Sequence, residues 1–553
     1  NVPLSDTLAL RGVFYDYDNA GFIDNRGTGT RDVNTEEVTG GRLALRWDIS
    51  DSAVFDLHYL NQASTLGGGQ GNRVQTITST FTPVSTGVPV DIAPPDLDNP
   101  SFHSNINPSQ DSDLEVLNLK LNLNFEHFDL TVMGATKDRD IRYEWDTSPW
   151  LGLFDDVSTV LTHFGFEFDT KTFEARFVST GDGPIEWIAG VWYEEEEGDT
   201  PQVWQVQTSR VGPVAIGLSD GDFFRDIDVF EYKEELSVYG ELGYRFNDKA
   251  KLTLGYRRAD IELDSGVLRA DGVYDAANAA AIGVDESSQE DVNTYKINFE
   301  YRFNDDILGY VLASSGYRPG GFNRSAPAGV SAASPFGSDE LWNYEVGART
   351  SWLDNRLIAN AVAYYIDWTD IQLRSIDFDT LTPKVQNVGK AEVFGFETEI
   401  DFQATDSLRL SANYAYTDSA LTEDYVVTPP TPEAIEGTTL PLVSKHTFAL
   451  FADWQKSLTS NVNLLINANY RYASSRPNSL ANQGILQRVF QPSYDVVNLS
   501  ASVKHNNGVT VSLFANNVFD EHAIYEFSNI GSALESIVMS RPRTFGLRAG
   551  YRF

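Results

Sequence analysis

The sequence predicts an all-β protein, a transmembrane up-and-down antiparallel β-barrel with one plain end and one elaborated end. Three observations predict it. Apolar residues recur with a period of two over most of the chain, and the second face of each such run is persistently Asn, Lys, Arg, Ser or Thr. Very short turns alternate with long polar connections, hairpin after hairpin. Aromatic residues gather near the ends of the runs, where amphipathic rings suit a membrane interface.

The runs follow one another from the start. "NVPLSDTLALRGVFYDYD" enters strand pattern almost at once. "LNLKLNLNF" puts Leu117, Leu119, Leu121, Leu123 and Phe125 on one face and Asn118, Lys120, Asn122 and Asn124 on the other. "FDLTVMGATKD" resumes after Glu126-His127. "LSVYGELGYRF" turns at Asn247-Asp248-Lys249 into "KLTLGYRRADIEL", and "NTYKINFEYRF" turns at Asn304-Asp305-Asp306 into "ILGYVLASSGY". In "LRLSANYAYTD", Arg409, Ser411, Asn413 and Thr417 oppose Leu408, Leu410, Tyr414 and Tyr416. "YDVVNLSASVKH" turns at Asn506-Asn507-Gly508 into "VTVSLFANNVF". Similar turns fall near Ser50–Ser52, Gly181–Pro184, Leu353–Asn355, Thr405–Ser407 and Leu458–Ser460. Asn, Asp and Gly dominate them because tight hairpins need positive φ. The last run, Phe545 to Phe553, alternates Phe545, Leu547, Ala549, Tyr551 and Phe553 with Gly546, Arg548, Gly550 and Arg552.

Long connections are expected near 63–113, 140–170, 195–233, 264–291, 318–339, 375–390, 419–442, 475–492 and 521–537. The total is roughly 20 strands, with the plain end periplasmic and the elaborated end extracellular. A soluble propeller also repeats antiparallel strands, but its inner blades are packed on both faces. A polar second face suits a hydrated lumen instead. The hydrocarbon holds no water to satisfy a sheet edge, so such a sheet must close.

Composition narrows the function. No run approaches the ~20 apolar residues of a membrane-spanning helix, but barrel strands need only ~9–11 alternating residues. The chain has no cysteine, so disulfides and thiol metal sites are excluded. A net charge of −38 argues against a nucleic-acid partner. The seven histidines are scattered without ligand-like spacing, and "GGGQGN" lacks the Lys-Ser/Thr of a phosphate loop. No carboxylate pair sits in an apolar stretch and no Ser–His pair stands out, so no enzyme activity is expected.

Several segments resemble TonB-dependent outer-membrane receptors. They are "DTLALRGVFYDYDNAGFIDN", "TKTFEARFVSTGDGPIEWIAGVWYEEEE", "LSVYGELGYRFNDKAKLTLGYR", "ASSGYRPGGFN", "ELWNYEVGARTSWLDNRLIANAVAYYIDWTDIQL", "NVGKAEVFGFETEIDFQATDSLRLSANYAYTDS" and "FANNVFDEHAIY". The resemblance runs nearly end to end. It implies a 22-stranded outer-membrane barrel filled by an N-terminal plug, importing a scarce nutrient with energy from the TonB–ExbB–ExbD complex. "NVPLSDTLAL" resembles the family's turn between its second and third strands. Residues 1–553 are therefore expected to be the barrel domain, with the plug, the TonB box and the first two strands outside this sequence. Asn1 comes without Met or an apolar leader, so an export signal is expected to have been removed or to lie outside it too. The alternative is a passive plugless channel for polar solutes. Proteins resembling this one carry ferric siderophores, haem, cobalamin, oligosaccharides or plant aromatics, and a ferric siderophore is the leading expectation.

Candidate contacts follow. "SSGYRPGGFNRSAP" brings Tyr317, Arg318, Phe322, Asn323 and Arg324 to a strand end that faces the chamber in the resembled family, and Trp204 offers a stacking surface for a planar ligand or a sugar. Trp342, at a strand start, suits the interfacial girdle. "YEEEEGD" and "SDGDFFRDIDVFE" set Glu194, Glu195, Glu196, Glu197, Asp220 and Asp222 on the elaborated side. That acidic rim is a solvated surface or a site for structural Ca²⁺ bridging lipopolysaccharide phosphates. No cofactor is expected beyond such Ca²⁺. Tyr551 and Phe553 resemble the C-terminal signal read by the barrel assembly machinery. Arg548 and Arg552 are expected to pair with lumen carboxylates or the plug.

Overall fold

The computed structural model describes residues 1–68, 73–76, 96–102, 104, 106–146, 160–206, 223–271, 285–323, 335–377, 382–387, 389–426, 434–480, 488–530 and 534–552. These form one 21-stranded antiparallel sheet, made of the two-residue strand Val2–Pro3 and twenty long strands. The long strands are β1 (Leu8–Asn19), β2 (Glu36–Ser50), β3 (Ala53–Gly67), β4 (Ser109–Asn124), β5 (Phe128–Asp146), β6 (Val160–Ser179) and β7 (Ile185–Val206). Next come β8 (Phe223–Arg245), β9 (Ala250–Ala270), β10 (Asp285–Asn304), β11 (Ile307–Arg318), β12 (Asp339–Trp352), β13 (Leu357–Thr369) and β14 (Lys390–Thr405). The chain ends with β15 (Leu408–Leu421), β16 (His446–Thr459), β17 (Val462–Ala473), β18 (Tyr494–His505), β19 (Val509–Asn516) and β20 (Thr544–Tyr551). Each pairs with the next in sequence, which is the meander the alternation predicts.

All nine short turns form where the sequence places them. At the last of these, Gly508 takes φ of 97°, and a Cβ there would overlap the Arg552 carbonyl. The turn at Leu353, Asp354 and Asn355 holds three successive non-glycine residues at φ of 55°, 54° and 65°, a local cost that β12 and β13 must offset.

The two faces differ as a membrane barrel requires. On β10, Tyr295, Ile297, Phe299, Tyr301 and Phe303 are exposed outward. Lys296, on the other face, donates to Glu241 at 2.8 Å. Lys251 reaches Glu186 at 2.6 Å, and Arg257 reaches Glu235 at 2.6 Å. These inner charges are thus paired across strands, while the outer positions of β10 between the belts are apolar. Rings mark the upper edge of the apolar band: Tyr256–Tyr295 at 5.6 Å, Tyr295–Trp342 at 6.3 Å, Trp342–Tyr344 at 6.1 Å and Tyr344–Tyr365 at 6.5 Å. Tyr244–Phe246 and Tyr301–Phe303, each at 5.0 Å, mark the lower edge. Tyr295 to Phe303 spans about 26 Å along the strand. At a tilt of about 40° that is roughly 20 Å of depth, near the height of an outer-membrane apolar band.

Glycines on the inner face let large rings lie flat across the neighbouring strand. At Gly395 a Cβ would overlap the Tyr364 ring, and at Gly347 it would overlap the Tyr310 ring. Tyr364 therefore faces the lumen, while its neighbour Tyr365 joins the outer belt.

The elaborated end departs from expectation in two respects. Strands β7 and β8 run on through much of 195–233, and β9 and β10 cover part of 264–291. Both faces of these extensions stand above the hydrocarbon in water, so no alternation in polarity betrays them. A further connection, 20–35, also lies on that side and was not foreseen.

The first and last long strands are the edges of the sheet. Val2 and Pro3 pair with Leu10 and Ala9 across a tight turn. Among the described residues no ladder joins β20 to β1. Above the membrane the two edges are tied together. Arg541 donates to the Ala20 carbonyl at 3.2 Å, approaches Glu36 at 3.8 Å and lies 5.7 Å over the Phe22 ring. Beside it Ile23, Val33, Phe102, Ile537 and Met539 share a buried cluster, and strands 73–76, 524–530 and 534–539 form a small sheet.

The C-terminal strand shows the outer file expected of it, with Phe545, Leu547 and Tyr551 each more than 60% exposed. Phe553 lies outside the described residues. Arg548 lies 5.8 Å over the Phe514 ring, an inner-face cation–π contact, and among the described residues no lumen carboxylate pairs with it.

Candidate functional site

The loop after β11 folds back onto the inner wall. Tyr317 packs with Phe322 on Ala259, Ile261, Leu263 and Val292, all inner-face residues of β9 and β10. Phe322 is only 8% exposed, so it anchors the loop. The Tyr317 hydroxyl donates to Glu235 at 3.4 Å. Asn323 clasps the Val385 backbone in both directions, donating to its carbonyl at 2.9 Å and accepting from its N–H at 2.5 Å. The Pro-Gly-Gly geometry is required there: a side chain on Gly320 would meet the Phe336 carbonyl and Glu290.

Arg318 is held by Asp339, which is 2% exposed. Its Nε donates to Oδ2 at 2.9 Å, a second guanidinium nitrogen contacts the same oxygen, and its backbone N–H donates to Oδ1 at 3.2 Å. The guanidinium also lies 5.1 Å over the Trp368 ring. The structure thus gathers Tyr317, Arg318, Phe322 and Asn323 into one clasped loop. Arg324 lies outside the described residues. Trp204 stands apart near the top of β7, opposite Thr162.

The acidic run is divided by strand geometry. Glu194 to Glu197 sit inside β7, so alternate residues face opposite sides. Glu194 faces the lumen and accepts from Lys233 at 2.8 Å, and Glu196 accepts from Thr170 at 3.1 Å. Glu195 faces outward and accepts from Lys171 at 2.7 Å. Glu197, also outward, helps line an acidic recess of about 600 Å³ with Asp138, Asp140, Glu167, Asp169 and Asp199. Among the described residues no three acidic or histidine side chains are arranged to hold a metal. Asp220 and Asp222 lie outside the described residues.

The inner wall also holds a recess of about 1260 Å³ that the sequence did not announce. Arg349, Asn360, Glu399, Asn413, Ala449, Arg471 and Val496 occupy one register row across β12 to β18. The row just above it carries Gly347, Ala415, Thr447 and Ala473, whose small side chains leave space. Tyr494 and Tyr525 close its extracellular end. Each row takes one inner-face residue from each strand it crosses, so no local motif reports the recess.

A wide antiparallel sheet with an apolar outer band, two aromatic belts and a charged inner face defines an outer-membrane β-barrel. The chain belongs to the TonB dependent receptor-like β-barrel family, whose sequence profile matches residues 3–518. It is 25% identical over 318 residues to the pesticin receptor of Yersinia pestis, covering 56% of this chain and 42% of that protein. It is 25% identical over 299 residues to the probable TonB-dependent siderophore receptor PiuA of Acinetobacter baumannii, covering 52% of this chain and 37% of that one. The chain thus matches less than half the length of these relatives.

Crystal structures give the same fold. The ferric yersiniabactin uptake receptor FyuA from Yersinia pestis superposes with a TM-score of 0.79 at 16% identity, covering 100% of this chain and 76% of that chain. PiuA superposes at 0.74 and 17% identity, covering 99% and 78%.

Proposed function

We propose that this protein imports a scarce nutrient across the outer membrane, most simply a ferric siderophore, with energy supplied by TonB, ExbB and ExbD. The observation that carries the reading is the inner wall. Its charged and tyrosine-lined recess of about 1260 Å³ opens toward packed extracellular loops in a barrel of a receptor family. Relatives named for siderophore or ferric-chelate uptake support it. The barrel contributes recognition and a hydrated path, while the work comes from the energised partner. On this reading the outer belts contact lipid and lipopolysaccharide, and the assembly machinery reads the final strand with Tyr551. Transcript abundance under iron starvation tests the substrate class. The expected result is a rise of severalfold over iron-replete cells, and an unchanged level would turn the reading toward carbohydrate or aromatic uptake.

A further inference from the structure

The outer wall has a hollow that its aromatic belts do not account for. On β10 the outward file between the belts is built of large side chains, Ile297, Phe299 and Tyr301. Across β15, β16 and β17 the corresponding depth, between Phe448 and Trp454, is floored by three alanines. Ala452 lies opposite Leu410 and Ala468, and Ala412 lies opposite Leu450, all on the outward face. With Phe402, Leu450 and Tyr470 as walls, they bound an apolar recess of about 530 Å³. Above it, at the extracellular belt, the same files change chemistry. The Tyr414 hydroxyl and His446 Nδ1 share a hydrogen bond of 3.0 Å, and Tyr416 packs on the His446 ring at 5.3 Å. Lys445 lies 5.5 Å over the Tyr416 ring and pairs with Asp418 at 3.1 Å, both side chains being half exposed. Asp495, exposed on the same face of β18, stands opposite Tyr472.

From this arrangement we propose that the hollow and the belt above it seat one zwitterionic phospholipid of the extracellular leaflet, an acyl chain in the hollow and the headgroup at Lys445 and Asp418. The depth fits. His446 to Ala452 is about 20 Å along β16. At a strand tilt of about 40° that is roughly 15 Å of depth, half of a hydrocarbon core of ~30 Å. A chain hanging from the headgroup therefore ends among the alanines. On a flat wall an acyl chain touches protein along one side, whereas in the recess the walls add contact along its flanks, and such dispersion contacts sum. The two charges of the headgroup match the two signs at the belt. Lys445 takes the phosphate, and Asp418 and Asp495 take the ammonium. A polyanionic lipopolysaccharide headgroup would meet those carboxylates unpaired, so they select against it at this spot. The proposal concerns the outer wall alone and holds whatever the lumen carries.

Native mass spectrometry of the full chain, purified from outer membranes in mild detergent and mixed with palmitoyl-oleoyl phosphatidylethanolamine, tests the site. The parent is expected to keep one phosphatidylethanolamine at collision energies that strip the remaining lipid. Ala452→Phe, which fills the hollow from the lipid side, should lower the retained fraction about fivefold or more, the loss of buried methylene contact. Ala175→Phe should leave it unchanged, since Ala175 faces lipid on β6 between the exposed Phe173 and Phe177, away from the hollow. Lys445→Gln should lower it severalfold with the hollow intact. Heat-modifiable gel migration confirms that each variant is folded. A parent that keeps no lipid, or keeps lipopolysaccharide in place of phosphatidylethanolamine, overturns the proposal. So does retention at the parent's level in Ala452→Phe or in Lys445→Gln, or an equal loss in Ala175→Phe.

Discussion

Asp339 holds the loop above the lumen through a single carboxylate. It receives the Arg318 side chain, the Arg318 backbone and, at 3.3 Å, the Gln372 backbone N–H. Because it is buried, removing it leaves a cation and two backbone donors without their acceptor. Asp339→Ala should therefore lower stability by about 3 kcal/mol, seen as an earlier midpoint in denaturant titration in micelles. The same variant should open the segment after Arg318 to protease. An unchanged midpoint and cleavage pattern would show that the clasp does not hold the loop. The residue types at this loop were legible in the sequence, and their partners were not. Asp339 and Val385 lie far along the chain, and only the fold brings them to Arg318 and Asn323.

At the scale of strands, strict alternation separates two environments one residue apart. Phe299 lies midway between the belts on the lipid side of β10, and Asn298 lies behind it in the lumen, donating to Glu300 at 3.0 Å. Phe299→Arg should cost about 2–4 kcal/mol in bilayer-inserted stability, the penalty of a cation at the membrane midplane. Asn298→Arg should cost far less, because its new charge meets water and Glu300. Equal costs in unfolding from lipid vesicles would contradict the assigned faces. Alternation made these membrane-level strands readable, along with all nine short turns. It could not show how far β7 and β8 climb above the membrane, since both faces there are wet. For that reason Glu194 to Glu197 read as one acidic rim when the strand divides them into two pairs on opposite sides of the wall.

At the scale of the molecule, twenty long strands curve into a wall whose edges, β1 and β20, are tied above the membrane by Arg541 and a small apolar cluster. Fold, membrane and family were all legible from periodicity and resembling segments. The inner-wall recess was not, because it exists only once seven strands bring single residues into one row. On the proposed reading this barrel serves energised import. The most direct test is accumulation of radiolabelled ferric chelate by cells expressing the gene's product, with and without a functional TonB. Import that disappears when TonB is deleted is the predicted result. Accumulation that persists without TonB would make the barrel a passive channel and contradict the account.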